Sequence, residues 1–417
     1  MASARNASIA AVPWHREISS AAWRVLILAG TAWMFDVFDT FLLALTLPAL
    51  VAVFALSKAE AGAIGSILAA GLVAGGITFG WVADRIGRRR ALVISACIYS
   101  LFSGATAIAP SATAVAALRF LAGVGMGGAW TSGAALVAET WDPRHRGKGG
   151  ALMQMGLPLG SMLAVGTAAV VAAIAGGLNG GGWRVLYALG TLPAIVVLLL
   201  ARRTPESPLW VRRIARPGGA RPGVFAAGDL RGIAIAFGFI FFCQYIYWGV
   251  FTWTPTFLIS VKHLNFLHSL GFVMTQQLGS LAGFLVFASL VDRIGRRPTF
   301  LIYLAIGAVS VASFVLGTTP LVLYVAVFWT GFGITGLFAG LGPFAAELVP
   351  NSPSRAFAMG IAYNGGRLGG ILAPYLIGAL ATSSAGFEAG MATNIAAFFL
   401  AAGVILIAPE TRGRALA

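Results

Sequence analysis

Charge is scarce in this sequence. Only 10% of its 417 residues are Asp, Glu, Lys or Arg, against about 25% in a soluble domain. With 59% hydrophobic residues and a mean hydropathy of +0.88, a soluble globular domain is excluded, because no core of this size could hide so much apolar surface. Cysteine is nearly absent. Cys97 and Cys243 both fall inside apolar runs and read as small packing residues, so no disulfide framework is implied. Histidine is also rare. His15, His145, His263 and His268 fall in arms, loops or span ends, so no imidazole is available at mid-membrane. No His/Cys/Asp cluster has metal-ligand spacing and no nucleophile–base pair stands out, so neither a metal, a cofactor nor an enzyme is expected. The first 22 residues are polar and mixed and read as an arm, not as a cleaved signal peptide.

What the chain does have is apolar runs of membrane-spanning length, roughly 20 residues each. They lie near 25–51, 62–82, 91–109, 112–137, 150–175, 183–201, 232–260, 268–290, 299–316, 319–346, 356–380 and 388–408. Twelve such spans leave little room for an appended soluble domain. A β-barrel is disfavoured because its apolar segments would be shorter and alternating. The 54 glycines suit helices that pack closely in lipid. The net charge of +15 points to orientation and not to nucleic acid. Lys58, Arg184 and Lys262 fall on one side and Arg119 and Arg367 inside apolar runs, while the remaining Lys and Arg gather on the other side. That bias places both termini in the cytoplasm of an inner-membrane protein. The Arg-, Pro- and Gly-rich segment 202–231 reads as a cytoplasmic linker between residues 1–201 and 232–417.

The two halves are related. Ala83-Asp84-Arg85-Ile86-Gly87-Arg88-Arg89 recurs as Val291-Asp292-Arg293-Ile294-Gly295-Arg296-Arg297, 208 residues later. The same offset pairs Glu139 with Glu347, each followed by a polar turn and an arginine, Arg146 and Arg355. A tandem duplication with six spans per half predicts parallel repeats about an axis along the membrane normal.

Four charges break the apolar pattern. Asp36 and Asp39 lie in span one, Arg119 in span four and Arg367 in span eleven. Each costs about 2.5–3.5 kcal/mol at mid-membrane on insertion scales. At ~1.5 Å per residue, Asp36 lies roughly 18 Å in from Arg24, Arg367 roughly 18 Å in from Arg355, and Arg119 roughly 14 Å in from Pro110, so all converge near the midplane. The repeat offset maps them onto Gln244, Tyr247, Val327 and Leu159. The loop charges are thus duplicated and the membrane charges are not, which makes the latter the better candidates for chemistry. Three apart, the two aspartates share a helical face and would titrate as a coupled pair. With no deep histidine, they are the candidate proton carriers.

Gly80-x-x-x-Asp84-Arg85-x-Gly87-Arg88-Arg89, present in both halves, resembles the signature loop of the major facilitator superfamily, and with the span count the likeness covers the whole chain. The resemblance implies an all-α membrane protein with 12 transmembrane helices in two six-helix pseudo-symmetric bundles. It also implies that Asp84, Arg88, Glu139 and Arg146, with Asp292, Arg296, Glu347 and Arg355, hold the cytoplasmic side shut. A carboxylate set against the positive end of a helix in the opposite half is a physical basis for such a gate. Arg119-x-x-x-Gly123-x-Gly125-x-Gly127 resembles a motif of proton-coupled members. Gly156-Leu157-Pro158-Leu159-Gly160 only loosely matches the antiporter motif. The Asp36-x-x-Asp39 pair and Gly366-Arg367-Leu368-Gly369-Gly370 resemble the organic-acid:proton symporter groups, aromatic-acid and sialate/lactate-type, with Val37 where the aromatic-acid group usually has Gly. Pro205-Glu206-Ser207-Pro208-x-Trp210 is similar to the sialate-type, nicotinate-type and sugar-porter groups. The expectation is therefore a monomeric transporter working with protons and a small organic anion in a lipid bilayer. Asp36 and Asp39 would couple protons, and Arg119, Arg367, Gln244, Tyr247 and Asn364 would bind substrate. A guanidinium fork matches a carboxylate, and span-seven aromatics would wall the pocket. Sugar uptake or cation or drug efflux on the same fold is the alternative.

Overall fold

The computed structural model describes residues 13–56, 58–215, 225, 227–260, 262, 266–381 and 386–416. Arg5, Arg216, Arg221 and His263, which entered the charge and histidine readings, lie outside the described residues. Twelve spans form. The first six are α1 (Ser20–Phe54), α2 (Lys58–Ile86), α3 (Arg88–Thr106), α4 (Ala112–Thr140), α5 (Arg146–Ile174) and α6 (Leu178–Ala201). The second six are α7 (Ala227–Ser260), α8 (Phe266–Ile294), α9 (Arg296–Leu316), α10 (Pro320–Leu348), α11 (Arg355–Ala381) and α12 (Gly386–Ile407). Among the described residues ten of these are apolar and long enough to cross a membrane by composition alone. The other two are α3, which opens on Arg88-Arg89-Arg90, and α11, which carries Asn364 and Arg367. Short helices at Trp14–Glu17 and Pro208–Ile214 flank the first bundle.

Side-chain caps start several spans. The Ser19, Ser111 and Thr319 hydroxyls accept from the backbone N–H three residues on, opening α1, α4 and α10. Three spans are interrupted at identifiable places: α5 breaks at Met155, α6 breaks at Gly190-Thr191, and α10 passes through a π-helical turn at Gly331–Thr335. The tight α2–α3 and α8–α9 hairpins turn on Gly87 and Gly295, with φ of 104° and 102°. Only glycine takes this conformation without strain, and a Cβ there would also run into the carboxylates of Glu206 and Glu410.

Apolar side chains such as Ile174, Ile108 and Leu316 are largely exposed on the outside of the bundles. Lipid solvates such a surface, so close packing and not water exclusion must hold the helices together. In the first bundle α4 packs on α2, α3 and α1, and in the second α7 packs on α11 and α12. The glycines following Arg119 serve this packing: Cβ atoms at Gly123 and Gly127 would strike the Leu68 and Leu72 carbonyl oxygens of α2. The bundles meet chiefly through α2 on α11 and through α5 on α8 and α10.

Candidate functional site

Where the bundles meet at the end carrying the two Asp-Arg-x-Gly loops, buried charges interlock across the interface. Asp84 at the end of α2 accepts from the Phe357 N–H in the first turn of α11 at 2.9 Å and from Arg88 at 2.7 Å. Arg88 also donates to Glu139 of α4 at 3.0 Å, and Glu139 receives Arg355 from the other bundle at 2.9 Å. The pseudo-symmetric counterpart has the same logic. Asp292 accepts from the Gly147 and Lys148 N–H groups at the start of α5, at 3.2 and 3.0 Å. Arg296 grips both oxygens of Glu347 at 3.0 and 2.8 Å, and Arg146 reaches Glu347 at 3.2 Å. Each aspartate thus sits at the positive end of a helix from the opposite half. All eight residues that the sequence singled out for this end are in the interlock.

Sequence reasoning missed one layer of it. Glu206 caps the start of α3 through the Arg89 N–H, while its neighbour Ser207 donates to Glu139. Glu410 does the same for α9 through the Arg296 and Arg297 N–H groups, and Thr411 donates to Glu347 at 2.7 Å. The signal was present: Pro205-Glu206-Ser207 recurs as Pro409-Glu410-Thr411. From the helix Pro208–Ile214, Trp210 donates to the Asp84 carbonyl at 3.0 Å, and Arg213 donates to the same carbonyl and to that of Pro353.

The helix backbones touch closely here. A Cβ added at Gly80 would lie 2.6 Å from the Ala356 carbonyl oxygen and 2.9 Å from Phe357 Cα. Gly80→Leu is therefore expected to wedge α2 from α11 and favour opening at this end. A reporter cysteine replacing Thr131, which is fully buried behind the interlock, should then be alkylated about tenfold faster, the change that ~1.4 kcal/mol makes in an equilibrium. An unchanged rate would show that this contact does not hold the bundles together.

Further in, Trp130 of α4 stacks on Tyr363 of α11 with centroids 3.3 Å apart, and its indole donates to Gln154 at 3.0 Å. Beside this floor lies a small cavity between the bundles. It is lined by Trp33, Asp36, Thr40 and Phe41 of α1, by Gln244, Tyr247 and Trp248 of α7, and by Tyr363 and Arg367 of α11, with Val37, Leu157 and Phe338. Asp36 is the only acid and Arg367 the only base among its described lining residues. The Arg367 guanidinium lies 5.6 Å from the centre of the Tyr363 ring. Asp36 Oδ2 and Arg367 Nε are buried with no hydrogen-bond partner among the described residues. Buried polar atoms are seldom left unpaired, and two of opposite polarity on one cavity make a ready pair of anchors for a polar ligand. Trp248 donates to Gln244 at 3.1 Å, which fixes the amide's orientation at the wall.

Two expected substrate contacts and one expected pairing need correction. Arg119 does not line the cavity. It is fully buried inside the first bundle, 2.9 Å from Asp39, and also donates to Thr106 Oγ1 at 2.9 Å and to the Phe102 carbonyl at 3.3 Å. Its guanidinium lies over the Tyr187 ring, and Ser103 donates to the other Asp39 oxygen. Asn364 is fully buried below the cavity, donating to Thr131 Oγ1 at 3.2 Å across the interface. The two aspartates do not share one environment. Asp36 faces the interface between the bundles and Asp39 the interior of its own, because three residues advance a helix by about 300°, leaving the two side chains about 60° apart.

Comparison with known proteins agrees with this architecture. The family model for the Major Facilitator Superfamily matches residues 29–283 and 267–416. A probable 4-methylmuconolactone transporter of Cupriavidus pinatubonensis is 34% identical over 413 residues, covering 97% of this chain and 94% of that protein. A 3-(3-hydroxy-phenyl)propionate transporter of Escherichia coli K12 is 31% identical over 363 residues, covering 85% and 86%. Among solved structures, the proton:xylose symporter XylE bound to 6-bromo-6-deoxy-D-glucose superimposes with a TM-score of 0.81 at 19% identity, covering 95% of this chain and 98% of that one. The chain, a multi-pass membrane transporter and not an enzyme, belongs to the Major Facilitator Superfamily.

Proposed function

We propose that this transporter is a proton-coupled symporter of a small organic carboxylate, working by alternating access in the inner membrane with both termini in the cytoplasm. The observation that carries the reading is the cavity with one acid, one base and an aromatic wall, Asp36 and Arg367 each presenting an unpaired buried atom. Relatives named for a muconolactone and for a hydroxyphenylpropionate support a small unsaturated or aromatic organic acid as cargo. On this reading the interlocked end is the cytoplasmic one, and the described conformation is closed there.

The chemistry follows from keeping the closing cavity neutral. Empty, Asp36 and Arg367 cancel. A substrate carboxylate held by the Arg367 fork brings an extra negative charge beside Asp36, and burying it costs several kcal/mol. A proton on Asp36 restores neutrality. Anion and proton therefore enter together, and the bundles close on the loaded or the empty cavity but not on a half-loaded one. Tyr247, Trp248 and Phe338 flank the position of the acid, and Gln244 offers it an amide. Asp39 and Arg119, neutral as a pair and sealed from the cavity, hold α1 and α4 in place. The eight interlock residues supply the cytoplasmic gate.

A screen of small aromatic and unsaturated carboxylates by thermal shift, followed by uptake of the hits into proteoliposomes, tests the reading. The parent should bind carboxylates and not their amides. Arg367→Lys keeps the charge but loses the planar fork, and its affinity should fall about tenfold or more, given ~1.5–3 kcal/mol for a charge-assisted hydrogen bond. If Arg367→Ala binds the acid as the parent does, the clamp is elsewhere, and a neutral solute such as a sugar becomes the better cargo.

A further inference from the structure

Outside the transport path, two grooves flank the last turn of α6. One is lined by Arg24, Arg202 and Arg203 with Ile27, Leu199, Leu200 and Thr204, the other by Arg89, Arg90 and Arg202 with Ile86, Val93, Ile94, Leu198 and Ala201. Arg202 belongs to both, and no acid lines either. Among the described residues Arg24, Arg90, Arg202 and Arg203 make no ion pair, whereas Arg88 and Arg296 at the two hairpins are each paired with two carboxylates. Arg89 is partly used, donating to the Thr204 carbonyl at 2.9 Å.

Three of the helices bordering the grooves repeat one pattern. An arginine at the end of the span stands one turn from an exposed apolar residue deeper in: Arg24 with Ile27 on α1, Arg90 with Ile94 on α3, Arg202 and Arg203 with Leu198 and Leu199 on α6. The apolar members continue into the exposed outer face of α6 at Ile195 and Leu192. Orientation of the chain requires basic loops, but it does not require that they ring an apolar cleft.

We infer that these grooves form a binding site for an anionic phospholipid. Its phosphate would be held by guanidinium forks, which match phosphate geometry, and its acyl chains would lie along Ile27, Ile94, Leu198 and Leu199. Basic pockets between spans at the cytoplasmic face are suited to such headgroups. A soluble phosphate would use the arginines but leave the apolar walls bare, so the lipid is the better match to both halves of the site. A lipid bound here bridges α1, α3 and α6 and stabilises the first bundle.

The test uses the purified full-length protein in delipidated detergent micelles, doped with phosphatidylglycerol, with phosphatidylcholine, or with inorganic phosphate alone. Phosphatidylglycerol should raise the melting midpoint and remain bound in native mass spectra, while the other two additions should do neither. With Arg24→Gln, Arg90→Gln, Arg202→Gln and Arg203→Gln combined, more than half of that rise should disappear. A control with Arg231→Gln and Arg412→Gln, both exposed elsewhere, should retain it. If the fourfold variant does not insert, the pair Arg202→Gln and Arg203→Gln carries the same comparison, since Arg202 serves both grooves. Equal stabilisation by phosphatidylcholine, reproduction of the effect by inorganic phosphate, or an undiminished rise in the variants would each overturn the assignment.

Discussion

Replacing Asp36 by Asn is expected to abolish accumulation of substrate while leaving exchange across the membrane intact. An imposed gradient of one pH unit, inside alkaline, is worth 1.36 kcal/mol per proton and supports about tenfold accumulation of a substrate that moves with one proton. In the Asn variant the cavity acid is permanently neutral. Arg367 still accepts the carboxylate and the loaded cavity still closes, so labelled substrate should exchange with unlabelled substrate at a rate near that of the parent. The empty cavity now holds an uncompensated Arg367 and should close poorly, so net flux stops and the accumulation ratio falls to about one. Proteoliposomes measured in both modes separate the two processes. A variant that accumulates like the parent would remove Asp36 from the proton path. A variant that fails in both modes would make it a substrate ligand instead.

Asp39→Asn should behave quite differently, although it lies one helical turn away. Its carboxylate is fully buried against Arg119, and neither residue reaches water or the cavity. Removing one partner of a buried ion pair costs about 3–5 kcal/mol, because the other charge is left unpaired, and that is a large part of the roughly 5–15 kcal/mol that keeps a typical domain folded. The expected result is a sharp loss of folded protein in the membrane and a lower melting midpoint. Combining it with Arg119→Gln should recover much of the loss, since two neutral side chains can share the Ser103 and Thr106 hydroxyls. The double variant should then still accumulate substrate. If instead the single variant folds normally and is uncoupled, Asp39 carries the proton, alone or together with Asp36.

The contrast between these aspartates shows where sequence reading runs out. The number of spans was legible because bilayer thickness sets the length of an apolar run, and the interlock was legible because a duplication repeats spacing as well as residue type. Depth could be counted too: Asp36 and Arg367 come out near the middle of α1 and α11, while Arg119 lies only seven residues into α4. Azimuth could not. The depth of Arg119 says nothing about whether it faces the other bundle or its own, and the angle of about 60° between Asp36 and Asp39 is enough to send one to each. Asn364 failed on depth instead, sitting one turn from Arg367 and under the floor. The Glu206 and Glu410 caps escaped for a simpler cause. Their spacing is 204 residues where the loops repeat at 208, so a strict offset passes over them.

The twelve side chains around the cavity include one carboxylate and one guanidinium, and that one-to-one count has an electrical consequence. If a monocarboxylate enters with one proton, no net charge crosses the membrane in the loaded step, and the returning empty cavity is neutral as well. Voltage, worth about 2.3 kcal/mol per elementary charge per 100 mV, would then do no work on the cycle. Such a carrier would take up an aromatic acid as readily in a depolarised cell as in a polarised one, and would stop when the pH difference collapsed. A dicarboxylate would break that silence: with the same single acid to titrate, it would carry a negative charge inward against the membrane potential.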